Sequence, residues 1–136
     1  MSRRTGLQRV YAALVSSIVL VAIGGLGIWA SQPWLFPSLG PTIFLQTVTP
    51  NEPGAKLWNT FVGHAIGVCA GYLAFFLFEA QSLPPTISAA EMSLGCVAAT
   101  AMAVGVTIMA QYLLNALHPP AAATTMLITL GGLKPD

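Results

Sequence analysis

Charged residues are scarce in this sequence. Only 4 Asp and Glu and 5 Lys and Arg occur among 136 residues, so 7% of the chain is charged, whereas soluble domains average about 25%. Nine charged residues are too few to keep the surface of a soluble protein of this size hydrated. A net charge of +1 gives no electrostatic field that attracts polyanions. The composition therefore excludes an ordinary soluble enzyme, a disordered chain and a nucleic-acid-binding protein.

Charges are missing altogether from residues 10–51, 57–78 and 92–133. A membrane-spanning helix needs about 20 apolar residues, so the middle stretch is one span and each outer stretch is almost long enough for two. The lipid bilayer is the expected surrounding, and the expected fold class is all-α: a polytopic membrane helix bundle with two proline-broken short helices. We treat 1–136 as a single transmembrane domain. The predicted segments are spans at about 10–30, 33–48 (short), 57–78 and 92–117, and a short helix at 121–133 that could be re-entrant.

Basic residues set the expected orientation. Arg3, Arg4 and Arg9 precede the first span, which places the N-terminus in the cytoplasm. Lys56 is also cytoplasmic if 33–48 crosses the membrane, and external if 33–48 is re-entrant. The first arrangement keeps all four cations on one side and is preferred, in what we expect to be a bacterial inner membrane. The first apolar stretch is longer than a signal-peptide core of about 7–15 residues, which favours an uncleaved helix.

Several kinds of chemistry are missing from the predicted spans. They contain no Asp, Glu, Lys or Arg, which excludes a carboxylate proton relay within them. Cys69 and Cys96 lie in apolar spans without C-x-x-C spacing, which favours two buried small side chains over a disulfide or a metal pair. His64 and His118 are too few for catalytic zinc, which takes three protein ligands. We therefore expect no metal, no cofactor, no catalytic residues and no enzymatic activity.

Two proline breaks are the strongest candidates for a binding site. Pro41 and Pro120 each stand near the first position of a short predicted helix, where proline is well tolerated. Such a helix start offers free backbone N–H groups and the positive end of the helix dipole, which can hold an anion without Lys or Arg. Alternatively, both prolines only kink or end helices. The polar residues near the breaks are Ser38 and Gly40, which could cap the first helix, and Thr42, Thr124 and Thr125, which add hydroxyl groups.

A stripe of small residues follows one face of the span 57–78. Gly63, Gly67 and Gly71 are spaced four residues apart, and this spacing lets two backbones approach closely in lipid. His64 lies at the edge of the stripe. Its imidazole could line a polar pathway or could form a hydrogen bond within a packed bundle.

The end of the span 92–117 carries a polar face. Gln111, Asn115 and His118 are spaced four and three residues apart, so their side chains lie on one side of a helix. This pattern indicates a wet cavity or an interhelical hydrogen-bond network. The alternative is a helix end whose polar side chains reach the membrane surface.

Three ordered motifs give the sequence a family resemblance. They are LHPPAAAT at 117–124, FPSLGPT at 36–42 and WNTFVGH at 58–64. Together they resemble the HPP family of integral membrane proteins over about residues 10–133. The resemblance implies a small bundle, usually with four transmembrane helices, and members in chloroplasts and cyanobacteria are associated with nitrite transport. Because members often continue into a further apolar span, the resemblance predicts either a truncated form or a dispensable last span.

These observations lead to one main hypothesis and one competitor. The main hypothesis is a transporter or channel-like permease for a small monovalent anion, with nitrite as a candidate. Because one short chain encloses little volume, a homo-oligomer is expected. The competitor is a non-transporting membrane protein that packs against or stabilises a partner. The expected substrate-binding residues are Ser38, Gly40, Thr42, His64, Gln111, Asn115, His118, Thr124 and Thr125.

Overall fold

The computed structural model describes residues 5–133, except for the side chain of Ile87, and within this range it contains helices and turns but no strand. Arg3, Arg4 and Lys134 lie outside the described residues. Three of the described helices, Gly6–Trp29, Leu57–Leu77 and Leu94–Leu113, are long and apolar enough to cross a membrane, so the predicted all-α membrane helix bundle is confirmed. The helices are α1 (Gly6–Trp29), α2 (Leu39–Val48), α3 (Leu57–Leu77), α4 (Thr86–Ala89), α5 (Leu94–Leu113) and α6 (Pro120–Thr129), with 3-10 turns at Pro53–Ala55 and Ala80–Ser82.

The first helix begins four residues earlier than the predicted span 10–30, because Thr5 caps it. The Thr5 hydroxyl accepts a hydrogen bond from the Gln8 N–H, and the Gln8 side chain accepts one from the Thr5 N–H. This reciprocal pair is a capping box. It fixes the helix start ahead of the apolar stretch, where hydropathy carries no signal.

The long span predicted at 92–117 is shorter in the structure. Helix α5 ends at Leu113 because Asn115 adopts a left-handed conformation with φ of 49°. The Ala116 N–H then donates to the Gln111 carbonyl at 2.9 Å. This closing bond is typical of a Schellman motif, which turns the chain out of the helix.

Both short helices contain a proline near the start, but at different positions. Pro120 is the first residue of α6. Helix α2 begins at Leu39 with Pro41 as its third residue, so the prediction that α2 begins near Pro41 is wrong by two residues. Proline is tolerated there because the first N–H groups of a helix have no intrahelical partner. Ser38 occupies the N-cap position without a side-chain capping bond, and Gly40 lies inside the helix and is not its cap.

Helix α6 ends at Thr129, before the predicted limit of 133. Gly131 follows with φ of 79°, a conformation that favours glycine. The Thr86 N–H donates to the Leu130 carbonyl at 3.1 Å. The end of α6 therefore lies beside the loop that joins α3 to α5.

The glycine stripe brings α6 against α3. A Cβ at Gly63 would lie 2.6 Å from His118 Cβ, and one at Gly67 would lie 2.8 Å from the Ala121 carbonyl oxygen. Gly71 meets the following part of α6 in the same way. The order of these contacts shows that α6 runs in the same direction as α3.

On its other side α3 packs against α5. Ala74, Ala99 and Ala103 form a fully buried cluster between the two helices. Small side chains again allow close approach of the backbones. Helices α3, α5 and α6 thus form a three-helix core.

Helix α1 stands to one side and packs mainly against α2. The Ser16 and Thr47 hydroxyls are 3.0 Å apart at this contact. In the most apolar 18-residue stretch of α1, only 11% is buried within the protein. Most of this helix therefore faces the surroundings. An apolar helix with this exposure is suited to lipid contact.

Candidate functional site

Two imidazole rings meet inside the bundle. His64 of α3 and His118, which precedes α6, face each other edge to face with Nε2 atoms 3.2 Å apart. The Thr42 hydroxyl of α2 lies 3.2 Å from each of these nitrogens. The start of α2, the first half of α3 and the start of α6 therefore converge on one triangle of polar atoms.

His118 is fully buried and is held from several directions. Its Nδ1 lies 2.7 Å from the Gly54 carbonyl oxygen, and its backbone N–H donates to Gln111 Oε1 at 2.9 Å. The Asn59 amide donates to the Leu117 carbonyl at 3.1 Å. The segment after α5 is thus tied to α3, to α5 and to the turn before α3, which fixes the ring position.

His64 is positioned by the helix that carries it. It is the eighth residue of α3, which places it roughly 10 Å along the helix axis from Leu57. Its Nδ1 lies 2.8 Å from the Thr124 hydroxyl of α6. The neighbouring Gly63 leaves the space that His118 occupies. The imidazole pair consequently lies within the span, in the half of α3 that begins at Leu57.

The Thr42 hydroxyl has a carbonyl partner as well as the two imidazoles. Thr42 Oγ1 donates to the Ser38 carbonyl at 2.8 Å, one turn earlier in α2. Thr42 is 7% exposed, so water does not compete strongly for the hydroxyl. Ser38 therefore contributes to the site through its backbone.

Not all of the predicted site residues reach the imidazole pair. Thr125 is buried beside it, but its hydroxyl contacts the Thr107 hydroxyl at 3.0 Å and the carbonyls of Gly67 and Ala121. Gly40 and Asn115 are exposed. Asn115 serves to end α5 and does not extend a polar face toward the pair.

The expectation of unpaired amides is wrong at the start of α6. Pro120 has no N–H, and the next two amides, of Ala121 and Ala122, donate to the carbonyls of His118 and Pro119. At α2 the Leu39 and Thr42 amides donate to the carbonyls of Phe36 and Ser38. An anion at the start of α6 would therefore have to be recognised mainly by side chains.

Three residues of the site were not predicted. Gly54 and Asn59 fix the segment that carries His118, and Thr107 pairs with Thr125. Asn59 had a usable signal, because it lies four residues before Gly63 on the same face of α3. A carbonyl partner such as Gly54 leaves no pattern in a sequence.

The imidazole pair and the side chains bonded to it carry no fixed formal charge. Helices α2, α3, α5 and α6 contain no Asp, Glu, Lys or Arg, so the charge of the site depends on the two imidazoles alone. Within residues 5–133 no group of three or more His, Cys, Asp or Glu side chains is placed to hold a metal ion. Proton binding is the chemistry that this arrangement most directly offers.

The two imidazoles differ in exposure, because His64 is partly exposed and His118 is buried. His118 has no exposed surface. Two clefts of about 480 and 270 Å³ lie along α1, the first beside Trp34 and the second beside Ser16 and Phe44, and neither is lined by the imidazoles. Access of a ligand to His118 therefore requires movement of the residues around it, whereas His64 already has exposed surface.

A comparison with known protein families identifies the family to which the chain belongs. A family model described as the HPP transmembrane region matches residues 1–135. The chain belongs to the HPP transmembrane family. No curated protein and no solved structure matches it.

In this HPP protein the segment His118-Pro119-Pro120 combines two tasks. His118 supplies the buried imidazole of the pair, and Pro120 is the first residue of α6. With Pro119 as N-cap and Pro120 as first residue, two positions lack an N–H that would otherwise need a partner in an apolar interior. The motif thus places a buried imidazole at a helix start with few unpaired backbone donors.

Proposed function

We propose that this HPP protein is a transporter or channel-like permease for a small monovalent anion, with nitrite as the first candidate. The observation that carries the proposal is the His64–His118 pair within the helix bundle, with its two threonine hydroxyls. Ionisable side chains within membrane helices are costly and commonly mark the pathway of an ion. The nitrite transport associated with the family that the sequence resembles supports this choice of substrate.

Recognition of the anion would rest on the imidazoles and hydroxyls. A protonated imidazole supplies the positive charge that Lys and Arg do not supply here. The hydroxyls of Thr42 and Thr124 donate hydrogen bonds once they turn from their present partners. A hydrogen bond between charged partners is worth about 1.5–3 kcal/mol, which suits reversible binding of a small ion.

A line of threonine hydroxyls supports passage beyond the pair. Thr125 and Thr107 are 3.0 Å apart, and Thr129 and Thr100 are 2.8 Å apart one turn further along α6. These pairs lead from the imidazoles toward the loop between α3 and α5. They are the polar atoms that an ion or its accompanying water would meet on that route.

The setting of the proposal is a bacterial inner membrane, with the N-terminus in the cytoplasm and the protein as a homo-oligomer. Lys56 follows the turn that contacts His118, so the pair would lie nearer to the cytoplasmic surface. An oligomer is proposed because α1 shares little surface with the three-helix core. Native mass spectrometry from detergent tests this, and a single-chain mass would contradict it.

Uptake of nitrite into proteoliposomes tests the function. His118→Asn keeps a donor for the Gly54 carbonyl and removes Nε2, so the initial rate should fall roughly tenfold or more. Thr60→Val is the matched control, because Thr60 lies on α3 and bonds only to the Lys56 carbonyl and Gln46. An elution profile like that of the unaltered protein establishes that the variant folds. Equal uptake by His118→Asn and the unaltered protein would remove the pair from the pathway.

A packing or assembly role is the second candidate, favoured by one observation. The polar contacts of the imidazole pair are all made within the protein, as in a structural hydrogen-bond network. Cysteines placed at 42 and 124, in a chain with Cys69 and Cys96 changed to serine, distinguish the two roles. Labelling by a small water-soluble thiol reagent supports a pathway, and unreactive positions support packing.

A further inference from the structure

We propose that the His64–His118 pair takes up one exchangeable proton, which lies between the two Nε2 atoms, and that His64 changes tautomer as the proton enters. This inference deepens the proposed function and rests on it for the coupling to an anion. The hydrogen-bond geometry of the pair supports the proton arrangement by itself.

The proton on His118 is assigned by its carbonyl partner. Nδ1 lies 2.7 Å from the Gly54 oxygen, and a carbonyl can only accept. Nδ1 therefore carries hydrogen in every satisfied state. In neutral His118, Nε2 is then an acceptor that needs a donor.

The donor to His118 Nε2 is His64. Thr42 has one hydroxyl hydrogen and a Ser38 carbonyl at 2.8 Å, which is closer than either imidazole nitrogen at 3.2 Å. The Thr42 hydroxyl donates its hydrogen to that carbonyl, so its oxygen can only accept hydrogen bonds from the two imidazoles. His64 must then carry its hydrogen on Nε2, which leaves Nδ1 to accept from the Thr124 hydroxyl at 2.8 Å.

The same contacts accommodate one added proton. A hydronium ion delivers a proton to the Thr124 hydroxyl oxygen, and the hydroxyl passes its own hydrogen to His64 Nδ1. At the same time the hydrogen on His64 Nε2 moves to His118 Nε2, so one N–H bond breaks on His64 and one forms on His118. His118 is then an imidazolium that donates to both Gly54 and His64. His64 is neutral, with Nδ1–H donating to the Thr124 oxygen, and the hydronium has become water.

A second added proton has no satisfied arrangement. It would place an N–H on both Nε2 atoms, which face each other at 3.2 Å and would have only Thr42 Oγ1 as an acceptor. No other side chain relieves this, because α2 and α6 contain no titratable residue. Neither ring forms a hydrogen bond or an ion pair with the remaining titratable groups nearby, which are Cys69, Tyr72, Cys96 and Tyr112 of α3 and α5 and Glu52 and Lys56 of the adjoining turn. The site therefore changes between 0 and +1, which matches a monovalent anion.

Nitrogen NMR of the full chain tests this inference directly. The protein contains only 2 His, so purification without a polyhistidine tag and ¹⁵N-histidine labelling leave four ring nitrogens to observe. At alkaline pH we expect one ring protonated on Nδ1 and the other on Nε2. On acidification one ring becomes doubly protonated while the other moves its hydrogen to Nδ1, with one proton taken up per chain.

The His118→Asn variant assigns the signals and tests the coupling between the rings. Without His118 Nε2 as a proton acceptor, His64 should remain Nε2-protonated at alkaline pH, with Thr42 Oγ1 accepting, and should become doubly protonated itself on acidification. A neutral His64 ring that still moves its hydrogen to Nδ1 on acidification of this variant overturns the inference, as do two identical tautomers or simultaneous charging of both rings in the unaltered protein. If the tautomers are as proposed and no anion is taken up by proteoliposomes, the proposed function fails and the proton assignment stands.

Discussion

At the scale of single residues, His118 depends on partners whose loss leaves a buried polar group unpaired. Gln111 illustrates this dependence. Its side-chain oxygen accepts the His118 backbone N–H, and both residues are buried. An unpaired buried N–H costs about 1–3 kcal/mol, so Gln111 is expected to matter for stability as well as for the position of the ring.

Gln111→Met keeps the side-chain length and removes the acceptor. We expect the free energy of unfolding to fall by about 1–3 kcal/mol, seen as a lower Tm in detergent. Gln46→Met is the matched control, because Gln46 is exposed and its side chain forms a long hydrogen bond of 3.4 Å to the Thr60 hydroxyl. Equal Tm values for the two variants would show that the bond to His118 does not stabilise the fold.

The sequence predicts the residues of the site that contact each other through polar side chains. It does not predict contacts made by backbone carbonyls. His64, His118, Thr42 and Thr124 are polar residues in apolar surroundings, so they stand out in a sequence. The Gly54 carbonyl, which fixes His118, has no such signature. Asn115 was assigned to the site from its helical spacing, but its left-handed conformation ends the helix before the spacing applies.

At the scale of helices, glycines on α3 set the distance to α6. A Cβ at Gly67 would lie 2.8 Å from the Ala121 carbonyl oxygen and 2.9 Å from Thr125 Oγ1. The nearest of these is backbone, so it cannot move aside cheaply. The stripe therefore determines whether Thr124 reaches His64.

Gly67→Ala should push α6 away from α3. Overpacking of this kind costs about 1–3 kcal/mol, and the displaced Thr124 should lower nitrite uptake as well. Gly105→Ala on α5 is the control, since nothing lies within 4 Å of a Cβ there, and its Tm and uptake should match those of the unaltered protein. A stable Gly67→Ala variant with normal uptake would contradict the close packing of α3 and α6.

Helix existence was predictable, and helix ends were less so. Apolar length identified α1, α3 and α5, because a span needs a minimum number of residues. The ends depend on single capping contacts, such as Thr5 with Gln8, which hydropathy does not report. Pro41 was misplaced for the same reason, since proline fits any of the first few positions of a helix.

At the scale of the whole molecule, uptake and release of one proton per anion would make transport electroneutral. In proteoliposomes, nitrite uptake should rise when the external solution is acidified, because the charged pair binds the anion. A potassium diffusion potential set with valinomycin should leave the rate unchanged. A rate that follows the potential would contradict one-to-one coupling.

Orientation can be tested with two single cysteines at opposite ends of the core. Glu52 and Glu91 are both exposed and lie at the start of the turn before α3 and in the loop before α5. In a chain with Cys69→Ser and Cys96→Ser, an impermeant maleimide applied to whole cells should label Glu91→Cys and spare Glu52→Cys. The reverse pattern would contradict the arrangement in which the N-terminus is cytoplasmic and 33–48 crosses the membrane.

The arrangement of α1 and α2 has a mechanical consequence. These two helices form an arm beside the three-helix core, and Thr42 is where the arm touches both imidazoles. A displacement of the arm would separate one hydroxyl from two nitrogens at once. The position of the arm and the hydrogen bonds of the pair therefore depend on each other through a single oxygen atom.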